Sequence, residues 1–180
     1  MNSELKTFIN DAHNFQNYGQ YDLAIDSLKQ AQQLDQQHEL ETEIQKLLSF
    51  NYRKLGDFNM ALFHINNAIN SITNVQTEDY AICLMNKGII FEEQKSSNKA
   101  IKCYLSALDI FTDLFNHDTD NYGKIINAFM TIGMFYYNCH DYLKTKKYLE
   151  SALPYFDENK ETDRQYLAII NTLSELKNII

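Results

Sequence analysis

Tryptophan is absent from this chain, proline occurs once and glycine five times in 180 residues. So few breakers leave long windows filled with Leu, Ile, Ala, Lys, Glu and Gln, which favour helix, and no stretch shows convincing strand alternation. No run of about 18 apolar residues occurs. The opening Met1-Asn2-Ser3-Glu4-Leu5-Lys6 lacks a basic segment followed by an apolar one. Neither a membrane span nor a secretory leader is expected, and a cytoplasmic protein is the default. The three cysteines, Cys83, Cys103 and Cys139, are odd in number and far apart. Each falls inside a helical pattern, so each reads as a small buried apolar residue and not as part of a disulfide framework.

Basic residues are also scarce: 16 Lys and Arg face 24 Asp and Glu, a net charge of -8. Neutralising phosphates needs clustered cations, so nucleic acid is not an expected partner. Lys144, Lys146 and Lys147 read as a solvated helix face. Catalytic signatures are missing as well. His13, His38, His64, His117 and His140 are scattered, without the i, i+4 pairing and glutamate of a helical zinc site, and most are expected to be exposed or locally bonded. Asp118-Thr119-Asp120-Asn121-Tyr122-Gly123 has a faint likeness to a calcium loop, but Tyr122 stands where an oxygen ligand belongs and Phe129 replaces the closing glutamate. A loop leading into a helix is the simpler reading. No glycine-rich phosphate loop and no Gly-x-Ser-x-Gly is found. The expectation is a protein without catalysis, metal or cofactor.

What is abundant is apolar surface, 44% of residues with 13% aromatic, enough for a sizeable core. It is arranged in a repeat. A small residue is followed by a second twelve positions later and a third seven beyond that: Ala12/Ala24/Ala31, Ser49/Ala61/Ala68, Gly88/Ala100/Ala107 and Gly133/Thr145/Ala152. The internal spacing is constant while the pitch between units lengthens from 37 to 39 to 45 residues, counted at Ala24, Ala61, Ala100 and Thr145. Rigid modules with variable joints are the mark of a helical repeat array. Phe58, Ala61, Leu62, Ile65, Ala68, Ile69 and Ile72 recur at intervals of three and four, on one helix face. A second helix precedes each such helix, ending in a turn at Tyr18-Gly19-Gln20, Leu55-Gly56-Asp57, Gln94-Lys95-Ser96-Ser97 or Asn138-Cys139-His140-Asp141. Short side chains let paired helices approach to roughly 8–10 Å. Phe15, Tyr52, Phe91 and Tyr136, three residues after each first small position, and Leu28, Ile65, Tyr104 and Leu149, four after each second, fill the space around the crossing.

This pattern resembles the tetratricopeptide repeat. Phe129/Ile132/Gly133/Tyr136/Thr145/Leu149/Ala152 and Leu84/Gly88/Phe91/Ala100/Tyr104/Ala107 carry the likeness best, and the turns at Gly19 to Ala24 and Gly56 to Phe58 are similar to the family's inter-helix turn. Asp11, Gln45, Lys87, Lys95 and Thr145 depart from it, and every pitch exceeds the usual length of about 34 residues. The longer pitch is similar to variants in bacterial peptide-responsive regulators and in kinesin light chains. The resemblance implies an all-α, right-handed solenoid of antiparallel helix pairs. Four repeats are expected at about 5–37, 42–74, 81–115 and 126–157, with a C-terminal capping helix over 158–180 and Pro154 ending the helix before it. The last helix has two readings, a cap over the exposed end of the array or a homodimer contact.

The resemblance also implies that the first helix of each pair lines a concave groove. Its candidate residues are Asn10, His13, Gln16 and Asn17; Lys46, Phe50, Arg53 and Lys54; Met85, Asn86, Ile89 and Glu92; and Asn127, Met130, Met134, Tyr137 and Asn138. Asparagines such as Asn10, Asn86 and Asn138 can hydrogen-bond the backbone of an extended peptide. The Met85/Ile89/Met130/Met134 strip is either a seat for an apolar side chain or amphipathic helix, or core covered by the terminal helix. The family's carboxylate clamp is not expected, because Ile9, His13, Leu47 and Ile82 occupy four of its positions and only Asn86 remains polar. The implied function is a protein or peptide interaction module; the alternative is a sensor that binds a short signalling peptide and changes conformation.

Overall fold

The computed structural model describes residues 3–115, 122–157 and 163–179. Among these it contains nine α-helices and no strand: α1 (Ser3–Asn17), α2 (Tyr21–Leu34), α3 (Glu41–Lys54), α4 (Phe58–Ser71), α5 (Glu78–Glu93), α6 (Ser97–Phe115), α7 (Tyr122–Asn138), α8 (Tyr142–Ala152) and α9 (Arg164–Leu176). The chain divides into two compact units. One comprises residues 1–75 and 82–100, the other residues 76–81 and 101–180.

Four hairpin turns are closed by the same two backbone bonds. Gly19, Gly56, Lys95 and His140 each donate to the carbonyl three residues back, and the next amide donates to the carbonyl of Phe15, Tyr52, Phe91 or Tyr136, five back. That is the Schellman arrangement, which requires a left-handed residue at its pivot. Gly19 and Gly56 supply it with φ of 71° and 80°; Lys95 and His140 adopt φ of 62° and 58° despite carrying side chains. Asp57 and Asp141 then cap α4 and α8 by accepting from the amides of Met60 and Lys144. The Lys144 ammonium, hydrogen-bonded beside it, holds the Asp141 carboxyl below its ordinary range.

In the first unit, α1 packs on α2 and α3 on α4. Ala12, Ala24, Ala31, Ala61 and Ala68 are fully buried, surrounded by Leu28, Ile44, Leu48 and Ile65. The crossing of α3 and α4 is close enough that the Ser49 hydroxyl donates to the Ala61 carbonyl at 2.9 Å. These are the residues twelve apart in the repeat, so that spacing marks the point of closest approach. A buried polar pair flanks it. His64 Nδ1 meets Gln45 Oε1 at 2.7 Å, the His64 ring stacks on Tyr52, and Gln45 Nε2 donates to Glu41 at 2.8 Å. His64 is therefore neither exposed nor locally bonded, an exception to the expectation for most of the histidines. Burial, reinforced by the Lys29 charge, pushes its pKa below the ordinary histidine value. Gln45, a departure from the repeat pattern, is there to satisfy it.

In the second unit α7 packs on α8, and α9 packs on α8. A methyl group at Gly133 would lie 2.7 Å from Leu149 Cδ2, so alanine here would force the Leu149 side chain to shift. Thr145, also at a small position, turns its hydroxyl to the Asp141 carbonyl of its own helix at 3.0 Å. α8 ends at Ala152, and a 3-10 turn containing Pro154 follows. Ile169 of α9 joins Leu149 and Ala152 in a buried cluster, with Met130, Phe129, Leu153, Phe156 and Leu173 against it. One cysteine expectation fails: Cys83 is buried and Cys103 half-buried, but Cys139 is exposed, because it ends α7 at the hairpin turn. The segment 118–121 of the calcium-like run lies outside the described residues.

Candidate partner-binding faces

The first unit holds the candidates on α1, α3 and α5. Asn10, His13 and Asn17 are exposed along α1, and Gln16 beside them is half-buried with an unpartnered amide nitrogen. Met85, Asn86 and Ile89 are half-buried on α5. α3 carries the most developed arrangement. Phe50 is 37% exposed although it is a large apolar residue. The Arg53 guanidinium lies 5.3 Å and the Lys54 ammonium 5.6 Å from its ring centre. The Tyr21 ring meets it edge-on at 6.3 Å. Lys46 lies one turn earlier on α3 and is half-buried. Arg53 is also bonded to Glu93 at 2.5 Å, which fixes the fork over the ring. The result is an apolar platform bordered by cations, where π-face attraction holds the charges in place. Tyr21 was not among the residues expected here. It opens α2, the second helix of its pair, and only the fold brings it to Phe50.

The second unit holds the candidates on α7, and its own chain meets several of them. Met130 packs into the cluster beneath α9. Asn127 accepts a hydrogen bond from Gln165 Nε2 at 2.5 Å. Met134 remains 41% exposed, Asn138 is exposed, and Tyr137 packs edge-on against Tyr142 at 5.8 Å. Of the apolar strip expected on sequence grounds, Met130 is half-buried against the Leu149, Ala152 and Ile169 cluster, whereas Met134 is exposed. Among the aromatic residues of this unit Tyr136 stacks on Tyr148, Phe129 lies tilted against Tyr148, and burial raises the Tyr148 pKa. Among the described residues the perturbed groups, His64, Asp141, Lys144 and Tyr148, are each accounted for by packing or capping. Among the described residues no three His, Cys, Asp or Glu side chains are grouped to hold a metal ion. No helix among them is long and apolar enough to cross a membrane.

With this geometry in place, the fold can be compared with known structures. The chain has the fold of tetratricopeptide-repeat proteins. It is similar to BtubC (BKLC) from P. vanneervenii at 22% identity, covering 93% of this chain and 69% of that one with a TM-score of 0.76. Putative kinesin light chain repeats from Podosopora anserina, described as nearly identical TPR-like repeats, align at 12% identity over 99% of this chain and 88% of that one, with a TM-score of 0.77. A tetratricopeptide repeat protein from Parabacteroides merdae aligns at 17% identity over 98% and 61%, with a TM-score of 0.60. No family model matches the sequence, and no curated protein matches it.

Proposed function

We propose that the chain is a non-catalytic interaction module and that the α3 face of its first unit takes an extended, acidic segment of a partner protein, with one apolar side chain of that segment seated on Phe50. The observation that carries this is the solvent-open Phe50 ring with two cations within 6 Å of its centre. Leaving 37% of Phe50 exposed forgoes only part of the burial energy of a core phenylalanine, about 1 kcal/mol or less. A docking residue recovers that energy when a partner arrives. The cations stand out against a chain of net charge -8, which repels acidic segments generally, and Lys54 beside Phe50 attracts them locally. Asn10 and Asn17 in the same unit are exposed amides of the kind that bind peptide backbone without reading its sequence.

The test uses two fluorescent peptides of equal length, each with a central leucine, one flanked by Asp and Glu and the other by Lys, titrated with the full chain at low salt. The acidic peptide is expected to bind and the basic one not. Phe50→Ala and Lys54→Glu should each weaken binding by about tenfold, equivalent to about 1.4 kcal/mol. Equal binding of both peptides, or an affinity indifferent to both substitutions, overturns the proposal.

A further inference from the structure

The ion pair on the α3 face has a second member that was not among the expected groove residues. Arg53 of α3 bonds Glu93, the last residue of α5, at 2.5 Å and 40 residues apart in the chain. Its two ends are unequally placed. The Arg53 side chain is 15% exposed and lies against the Phe50 ring, whereas that of Glu93 is 39% exposed. A largely buried guanidinium held by an open carboxylate is an anion site already filled from within.

Nothing local favours an acid at that position. The C-terminal end of a helix carries partial negative charge, which disfavours a carboxylate in the last turn. Five residues past the first small position of each repeat, Glu93 corresponds to Asn17, Lys54 and Asn138, the last residues of α1, α3 and α7. None of these is acidic. The one acid among the four equivalent positions is the one bonded to Arg53.

We propose that Glu93 is an internal competitor for the partner's carboxylate: it occupies Arg53 in the free protein and gives it up when an acidic segment docks on Phe50. This rests on the α3 reading and adds a rule of specificity to it. A segment with an apolar side chain alone leaves the Arg53–Glu93 pair in place. A segment with one carboxylate beside that side chain trades one ion pair for another, so its charge gains little unless a second carboxylate reaches Lys54, whose ammonium lies 5.6 Å from the centre of the same ring. Glu93 thereby selects segments acidic on both sides of the apolar residue.

The experiment uses the acidic leucine peptide and a neutral one with Asn and Gln in place of Asp and Glu, each titrated with the full chain at low salt. Glu93→Gln keeps an acceptor for Arg53 and removes the charge. It should bind the acidic peptide about threefold to fivefold more tightly, the scale of a solvent-accessible ion pair, and change the neutral peptide by less than about twofold. In an Arg53→Met background, which keeps the packing stem, the same substitution should give no gain. An equal gain in both backgrounds means general repulsion by a nearby acid, and weaker binding by Glu93→Gln means that Glu93 serves only to hold Arg53 over the ring; either overturns the inference. Phe50→Ala keeps the two readings apart. Affinity indifferent to Phe50→Ala defeats the α3 reading and this inference with it, whereas a peptide that needs Phe50 but gains nothing from Glu93→Gln defeats this inference alone.

Discussion

α3 and α7 hold equivalent places in their repeats, yet their faces have opposite fates. On α3 the ring of Phe50 is left open and framed by Arg53, Lys54 and Tyr21. On α7 the equivalent surface is partly consumed by the chain itself: Met130 packs against the Leu149, Ala152 and Ile169 cluster and Asn127 is bonded to Gln165. Position in the repeat therefore decides where a side chain points, not what it is used for. A repeat followed by another helix hairpin and a repeat followed by a lone terminal helix make different demands on the same face.

The largest effect that separates the two faces is expected at Ile169. It is 1% exposed in the cluster joining α9 to α8, so Ile169→Ala should lower unfolding stability in denaturant titration by about 2–5 kcal/mol. Peptide affinity at α3, measured where the variant is still folded, should be unchanged. A loss of affinity equal to that of Phe50→Ala would show that the two faces are not distinct. A smaller contrast lies in the turns. Gly56→Ala should cost about 1 kcal/mol, because φ of 80° strains a residue with a Cβ. Lys95→Gly, relieving the same strain at φ of 62°, should raise stability by about 0.5–1 kcal/mol. Both are read from thermal or urea unfolding, and equal signs for the two substitutions would contradict the shared turn geometry.

The repeat could be read from sequence because close packing leaves a trace that does not depend on neighbours far along the chain. Ser49 and Ala61 are small for the reason now visible, a carbonyl within 2.9 Å of a hydroxyl across the crossing. The turn at Lys95 could be placed but its conformation could not, since lysine carries no preference for a left-handed backbone. The Gln45–His64 pair was hidden for another reason: each residue alone looks like a surface polar group, and only the pairing of α3 with α4 buries them together. The candidate site divided in the same way. Phe50, Arg53 and Lys54 were named from the inner-face positions that the family resemblance implies for one helix, whereas Tyr21 comes from another helix and Gln165 from 38 residues beyond Asn127. Contacts of that kind have no local signature. The exposure of Cys139 was within reach, since the turn Asn138-Cys139-His140-Asp141 was expected, but the cysteine was read as a small apolar residue and not by its place in that turn.

Hydrogen exchange of the full chain, with and without the acidic leucine peptide, tests most directly the claim that α3 bears the open binding face. Added protection is expected on α3 around residues 46–54 and at the start of α2 around Tyr21, with residues 127–137 of α7 unchanged. Protection appearing on α7 and not on α3 would contradict it.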